Sequence, residues 1–324
     1  MLRNPRALAG LAASLALCAA APAHAEPYPA KPIQMVVPQA PGGTNDIVAR
    51  LVAADLSQRL GQQVVVENRP GAGGNIGTQY AARATPDGYT LLMTISSTQA
   101  INPSLYRQVP FDPVKDFEPI APVASVPNVL VVNPAFPARS MAELISMAKA
   151  RPDYYRFASA GNGTLNHLLG EMLNSMAGIK LEHVPYKGVA PALNDVLGNQ
   201  VPMAFASLPS VLPHIKAGKV RALGVSSARR SPFAPDIPAI GETVPGYSGD
   251  LWVGLFAVKG TPREVSQKLA QTLHAALADK ALRDKLAAQG AEVLDGTPQQ
   301  FSALLKSDMD KWAKIVKSSG AQVD

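Results

Sequence analysis

Cysteine is almost missing from this sequence: the single Cys18 lies in the N-terminal apolar run. Beyond that run there is no disulfide framework, no cysteine nucleophile and no cysteine-based metal spacing. Aromatic residues are also scarce, at 6% of 324 positions, and no cluster of Lys and Arg is interleaved with them. A nucleic-acid partner is therefore not expected. Charge of neither sign dominates. Thirty basic against 24 acidic residues give +6, and setting Arg3 and Arg6 aside leaves 28 against 24, or +4. The catalytic signatures G-x-S-x-G, H-E-x-x-H and the phosphate-binding P-loop are absent, and His167, His183, His214 and His274 are scattered without ligand spacing. No catalytic residue, metal or cofactor is expected. After the first 25 residues no apolar run is long enough to span a bilayer.

What is present begins with a leader. Arg3 and Arg6 precede an apolar stretch over 8–21, and Ala23-His24-Ala25 is a small-x-small site before Glu26. This reads as a signal peptide over 1–25, cleaved near Ala25, which predicts export to the periplasm. Leu17 stands where a lipid-anchored Cys18 would need a small residue, so no lipid anchor is expected. At 47% hydrophobic and 17% charged, the chain is globular.

Two stretches share one grammar. An apolar strand over 33–37 runs through Pro41-Gly42-Gly43 into a helix whose apolar stripe is Val48, Val52, Leu56 and Leu60, stopped by Gly61. About 120 residues later, a strand over 156–158 runs through a loop over 159–164 into a helix. That helix carries Leu165, Leu168, Leu169, Met172, Leu173 and Met176 on one face and stops at Gly178. The first N–H groups of such helices have no internal partner and favour an anion. Each unit is either an anion loop or a plain tight turn. The 63–67 run reads as a strand buried on both faces, and the strand over 89–95 ends in a polar tip, Ser96-Ser97-Thr98-Gln99. Further strands are expected within 121–132 and over 181–184, 201–205, 220–226 and 252–258. Helices are expected over 189–197, over 262–289 with a break near Asp279, and over 298–317, with an irregular connection over 227–249. The alternation argues for an α/β architecture of largely parallel sheets in two lobes, with ligand at the strands' carboxyl ends.

Single residues carry weaker signals. The 71–77 glycine run resembles a dinucleotide fingerprint, but Ile76 replaces a required glycine, so it reads as a tight helix entry. Asp46 either complements the helix dipole or accepts from a ligand. Lys187 is either a carboxylate partner or a solvated lysine. Ser159 and Thr164 are N-cap candidates, and His167 and Trp252 read as packing residues. A triad of Ser97, His167 and Asp46 is disfavoured, because such residues at loop tips are common.

The stretches APGGTNDIVAR (40–50), VVVENRPGAGGNIGTQYAARATPDGYTLL (64–92), VLVVNP (129–134), FASAGNGTLNHLLGEML (157–173), HVPYKGVAPALNDVLGNQV (183–201), IKAGKVRALGVSSARR (215–230) and WVGLFAVKGTP (252–262) together resemble the Bug family, the extracytoplasmic solute receptors of tripartite tricarboxylate transporters. The resemblance implies a two-lobed type II periplasmic binding protein fold, each lobe a mostly parallel sheet flanked by helices. Lobe 1 would comprise 26–128 and 257–324, and lobe 2 would comprise 129–256. It implies no enzyme but a monomeric receptor that binds an amino-acid, di- or tricarboxylate or aromatic acid and passes it to inner-membrane transporter subunits. The alternatives are a sensor kinase as partner, or a periplasmic hydrolase working through Ser97. Carried onto this chain, the ligand-binding residues are Gly42, Gly43, Thr44, Asn45 and Asp46; Ser97; Ser159, Ala160, Gly161, Asn162, Gly163 and Thr164; and Tyr186, Lys187 and Gly188. Two positions depart from the family pattern: Gln39 where Phe is frequent, and Pro202 where Asp is usual.

Overall fold

The computed structural model describes residues 28–323; the expected signal segment, with Cys18, lies outside the described residues. β1 (Ile33–Val37) is buried at its four apolar residues, Ile33, Met35, Val36 and Val37, while Gln34 is half-buried. α1 (Thr44–Leu60) buries Val48, Val52 and Leu56 against it. β2 (Val64–Asn68), α2 (Asn75–Ala82) and β3 (Thr90–Ile95) follow. A π-helical turn, Ser97–Ile101, then leads into the short α3 (Asn102–Leu105). β4 (Phe117–Val126) and β5 (Asn128–Val132) are separated by Pro127 alone, and there the chain passes from one sheet to the other. α4 (Met141–Ala150), β6 (Arg156–Ser159), α5 (Leu165–Ala177), β7 (Glu182–Pro185), α6 (Val189–Leu197), β8 (Met203–Ser207), α7 (Leu208–Lys216) and β9 (Arg221–Val225) build the second unit. β10 (Leu251–Val258) returns to the first sheet, followed by α8 (Arg263–Ala278), α9 (Lys280–Ala288), β11 (Glu292–Val293) and α10 (Pro298–Ser319).

The sheet orders are β11-β4-β10-β3-β1-β2 and β7-β6-β8-β5-β9. Both sheets are mixed rather than mostly parallel. Pairing is parallel where a helix carries the chain back, at β1–β2, β1–β3, β6–β7 and β6–β8. The strands that carry the chain between sheets pair antiparallel: β10 with β3 and β4, and β5 with β8 and β9. The return passage lies between β9 and β10, so Phe256, expected as the end of the second lobe, stands inside a strand of the first sheet. β2 is an edge strand with Val65 50% exposed, not a strand buried on both faces. The polar tip after β3 is coiled into the π-helical turn, with Thr98 and Gln99 buried. Met176, at the last turn of α5, is exposed. The predicted break at Asp279 is present, and its carboxylate caps α9 by accepting from Ala281 N at 2.8 Å.

One buried cluster runs through both halves. It joins Phe256 of β10, Phe301 and Trp312 of α10, Leu168 and Leu169 of α5, and Phe205 of β8. Trp252 belongs to it, its Nε1 donating to Asp308 at 2.7 Å. The two passages between sheets are tied at one point. The Asp250 carboxylate accepts from Ser125 Oγ of β4 at 3.1 Å and from Ser226 Oγ, just after β9, at 2.9 Å; Ser226 Oγ in turn accepts from Asn128 N of β5 at 2.9 Å. Burial pushes the Asp250 carboxyl up to about 6, against the pull of both serine bonds.

Candidate functional site: a cleft between the two sheets

A cleft of about 490 Å³ opens beyond the carboxyl ends of β1, β3 and β6, where ligands of open α/β sheets sit. From the first half it is lined by Gln39 and Ala40 after β1, by Gly71, Gly73 and Gly74 before α2, and by Ser97, Asn102, Leu105 and Tyr106 after β3. From the second half come Asn162, Gly163, Thr164, Leu165 and Asn166. None of the described residues lining it is Asp, Glu, Lys, Arg or His. The halves come close at Gly163, where a Cβ would lie 2.5 Å from Leu105 Cδ2. Gly163 holds φ +72°, a backbone conformation that side chains with a Cβ rarely adopt.

The expected second-half residues divide into a wall and its support. Asn162, Gly163 and Thr164 line the cleft, and Ser159, Ala160 and Gly161 lie behind them. Thr164 caps α5, accepting from His167 N at 3.4 Å while its hydroxyl donates to Gly161 O at 2.7 Å. The N–H groups of Leu165 and Asn166 find no acceptor among the described residues, as expected for the first turn of a helix. Ser159 does not cap α5. Its Oγ accepts from Gly161 N at 3.1 Å and lies 2.6 Å from His183 Nε2. The turn at Tyr186, Lys187 and Gly188 braces this loop from outside the cleft. Gly188 N donates to Ala160 O at 3.1 Å, and Tyr186 Oη donates to Asp195 at 2.6 Å. Burial and that carboxylate push the Tyr186 hydroxyl up to about 12. Lys187 is exposed and off the cleft wall.

The first loop stands differently. Gly42 and Gly43 are exposed, Asn45 and Asp46 are buried, and none of these nor Thr44 lines the cleft. The wall is made a few residues earlier, by Gln39 and Ala40. Asn45 works from behind, donating to Met93 O at 2.9 Å and to Gln39 Oε1, while Gln39 Nε2 donates to Thr98 Oγ1 at 3.0 Å. Asp46 accepts from Gly42 N at 2.9 Å, Asn68 Nδ2 at 2.9 Å and Arg50 Nε at 3.1 Å. Burial alone would raise its carboxyl, but the bonds from Arg50, Gly42 and Asn68 outweigh it and hold the group below its ordinary range. Both carboxylate oxygens of Asp46 are thus engaged by protein donors. Ser97 lines the cleft, while His167 and Asp46 are held in separate networks, so the three form no triad.

Sequence reasoning missed several parts of the wall, among them the 71–74 glycines and the segment at Leu105 and Tyr106. The 71–74 glycines do enter a helix, and they also face the cleft; the signal was the same strand–glycine–helix grammar already recognised twice. Leu105 and Tyr106 follow a π-helical turn that no apolar period announces.

Residues 48–321 match the model of the tripartite tricarboxylate transporter family receptor. The chain belongs to this family. The receptor is 40% identical to the protein BugT of Bordetella pertussis over 306 residues, 94% of each chain. Its fold is similar to that of a Rhodopseudomonas palustris protein solved with adipate, at 37% identity and TM-score 0.77 over 91% of this chain and 100% of that one. It is also similar to MatC of Rhodopseudomonas palustris with bound malate, at 31% identity and TM-score 0.73 over 89% and 100%. The receptor thus has the two-lobed α/β fold of periplasmic solute-binding proteins.

Proposed function

We propose that the receptor binds a small aliphatic dicarboxylate in this cleft, in the periplasm after removal of the leader, and delivers it to the inner-membrane subunits of a tripartite tricarboxylate transporter. Each sheet with its helices serves as one lobe: 28–126 with 251–323, and 128–249. The observation that carries the reading is the cleft's composition. Among the described residues it has no cationic side chain, yet its second-half wall is the start of a 13-residue helix whose first N–H groups find no acceptor among them. Such a helix start stabilises one carboxylate by neutral donors and dipole. Opposite, Ile95, Leu105, Tyr106 and Leu251 offer apolar surface suited to an alkyl chain. A tricarboxylate would bring a third charge with no cation to meet it, so it should bind more weakly. The relatives solved with adipate and malate hold dicarboxylates, which supports the same class. No step in this reading is catalytic.

Calorimetric titration with adipate, malate, citrate, glutamate and benzoate tests the reading, with thermal shifts alongside. Adipate or malate at about a hundred times Kd should add about 2.7 kcal/mol of stability. A silent panel would sink the proposal, and citrate binding tightest would overturn the choice of class.

A further inference from the structure

Beneath the second-lobe loop, two imidazoles stack. The rings of His167 on α5 and His183 on β7 have centroids 3.8 Å apart and planes 16° from parallel. They can meet because α5 sits close on β6; a Cβ at Gly170 would lie 2.2 Å from the Phe157 ring, which itself packs on His183 at 5.1 Å. Each imidazole holds a different end of the loop. Gly163 N donates to His167 Nδ1 at 3.1 Å, so in neutral His167 the proton sits on Nε2, which faces Glu171 Oε1 at 3.7 Å. His183 Nε2 lies 2.6 Å from Ser159 Oγ, which accepts from Gly161 N.

We propose that the stacked His167–His183 pair is the positioning element of the 159–164 loop, holding its glycines in place only while both rings are neutral. His167 and His183 are positioning residues and touch no ligand in this scheme. A proton on His167 Nδ1 would set a donor against the Gly163 N–H. A proton on His183 would place a cation against a second imidazole, with the carboxylate of Glu171 beyond it. The other titratable groups on the packed elements are already paired or turned outward: Arg156 with Glu182 at 2.7 Å, Asp195 with Tyr186, Lys187 exposed in its turn and, on α10, Asp308 with Lys311 at 2.7 Å and Lys306, Asp310 and Lys314 exposed. Burial, and after it the neighbouring His167, hold His183 down to about 4, while Glu171 pulls the other way. A loosened loop frees His183 towards its ordinary 6.5, so protons favour the loosened state between these values.

Amide hydrogen exchange of the 159–164 segment tests this without any ligand. From pH 7.5 to pH 5, after correction for intrinsic exchange, protection of that segment should fall by up to roughly 25-fold. The double variant His167→Asn, His183→Gln keeps one acceptor at each bond but cannot take up the proton, and it should show no such fall. His167→Leu lacks the acceptor for Gly163 N–H, and its loop should exchange faster than wild type already at pH 7.5. Thermal melts confirm that each variant is folded. Equal protection of wild type at both pH values, or the same fall in the double variant, overturns the proposal. The consequence for affinity rests on the reading of the cleft given above: adipate should bind more weakly at pH 5 to the wild type but not to the double variant. Adipate that never binds would defeat that reading and leave the exchange result to decide the role of the pair.

Discussion

The two strand-to-helix loops are alike in sequence and opposite in what holds them. The loop over 42–46 is secured by ions, with Asp46 bonded to Arg50, Asn68 and Gly42 N. The loop over 159–164 is secured without a carboxylate, with Thr164 capping α5 and two stacked imidazoles below. A loop anchored by a carboxylate cannot also present that carboxylate to an anionic ligand. Asp46 accordingly lies behind the wall, and Gln39 and Ala40 form the surface in its place. The neutral loop carries no such conflict, and its own residues line the cleft.

The largest expected effect comes from widening this contrast at a glycine. Gly163→Val combines a positive φ with a Cβ 2.5 Å from Leu105 across the cleft. Strain and overpacking of a few kcal/mol should cost affinity for the bound acid roughly a hundredfold. Gly43, whose added Cβ meets only Ala40 O at 3.5 Å, should tolerate Val with less than about a threefold change. Equal losses in the two titrations would mean that the loops act alike. Next comes Asp46→Ala, which leaves Gly42 N–H and Asn68 without their acceptor. It should lower stability by about 2 kcal/mol in urea denaturation while the folded fraction keeps its affinity. Lost affinity at unchanged stability would restore the first loop as a direct ligand contact.

Acid should separate the loops next. Asp46 is held below its ordinary value, so its stabilisation is present above 3.8 and is lost as pH falls through its folded value. His183 is held near 4 against 6.5 unfolded, so the unfolded chain takes up the proton first and stability falls as pH drops from 6.5 to 4. In thermal melts, the Tm difference between wild type and His183→Gln should move within that window. The difference from Asp46→Asn should move only below about 4. The smallest effect concerns the tie that both lobes share. Asp250, raised to about 6, favours the folded state below 3.8 and loses that advantage as pH rises through 6. Asp250→Asn should therefore gain Tm relative to wild type above pH 6, and no gain would mean that the serine bonds outweigh its burial.

Much of this was legible in the residues. The stripe of Val48, Val52 and Leu56, the caps at Gly61 and Gly178 and the break at Asp279 follow from local rules of period and capping, and they stand where those rules put them. What sequence could not show is long-range. The antiparallel run of β10 between β3 and β4 depends on pairings across more than a hundred residues. The helix start after the first loop leaves an anion loop and a plain turn equally open, and it is the family resemblance that implies ligand contacts at its glycines. Only packing shows that Asn45 and Asp46 turn inward to hold Gln39 and Arg50. His167 and His183 stood sixteen positions apart on different elements, and nothing in either neighbourhood announced that their rings would stack.

The central claim is that a carboxylate is held by the neutral start of α5. A crystal structure with the tightest-binding acid of the panel tests it most directly. The account predicts a carboxylate oxygen about 3 Å from the N–H of Leu165 or Asn166, and no Lys or Arg nitrogen within about 4 Å of it. A carboxylate seated on the exposed Gly42-Gly43 turn, or paired with an Arg or Lys side chain, would contradict it.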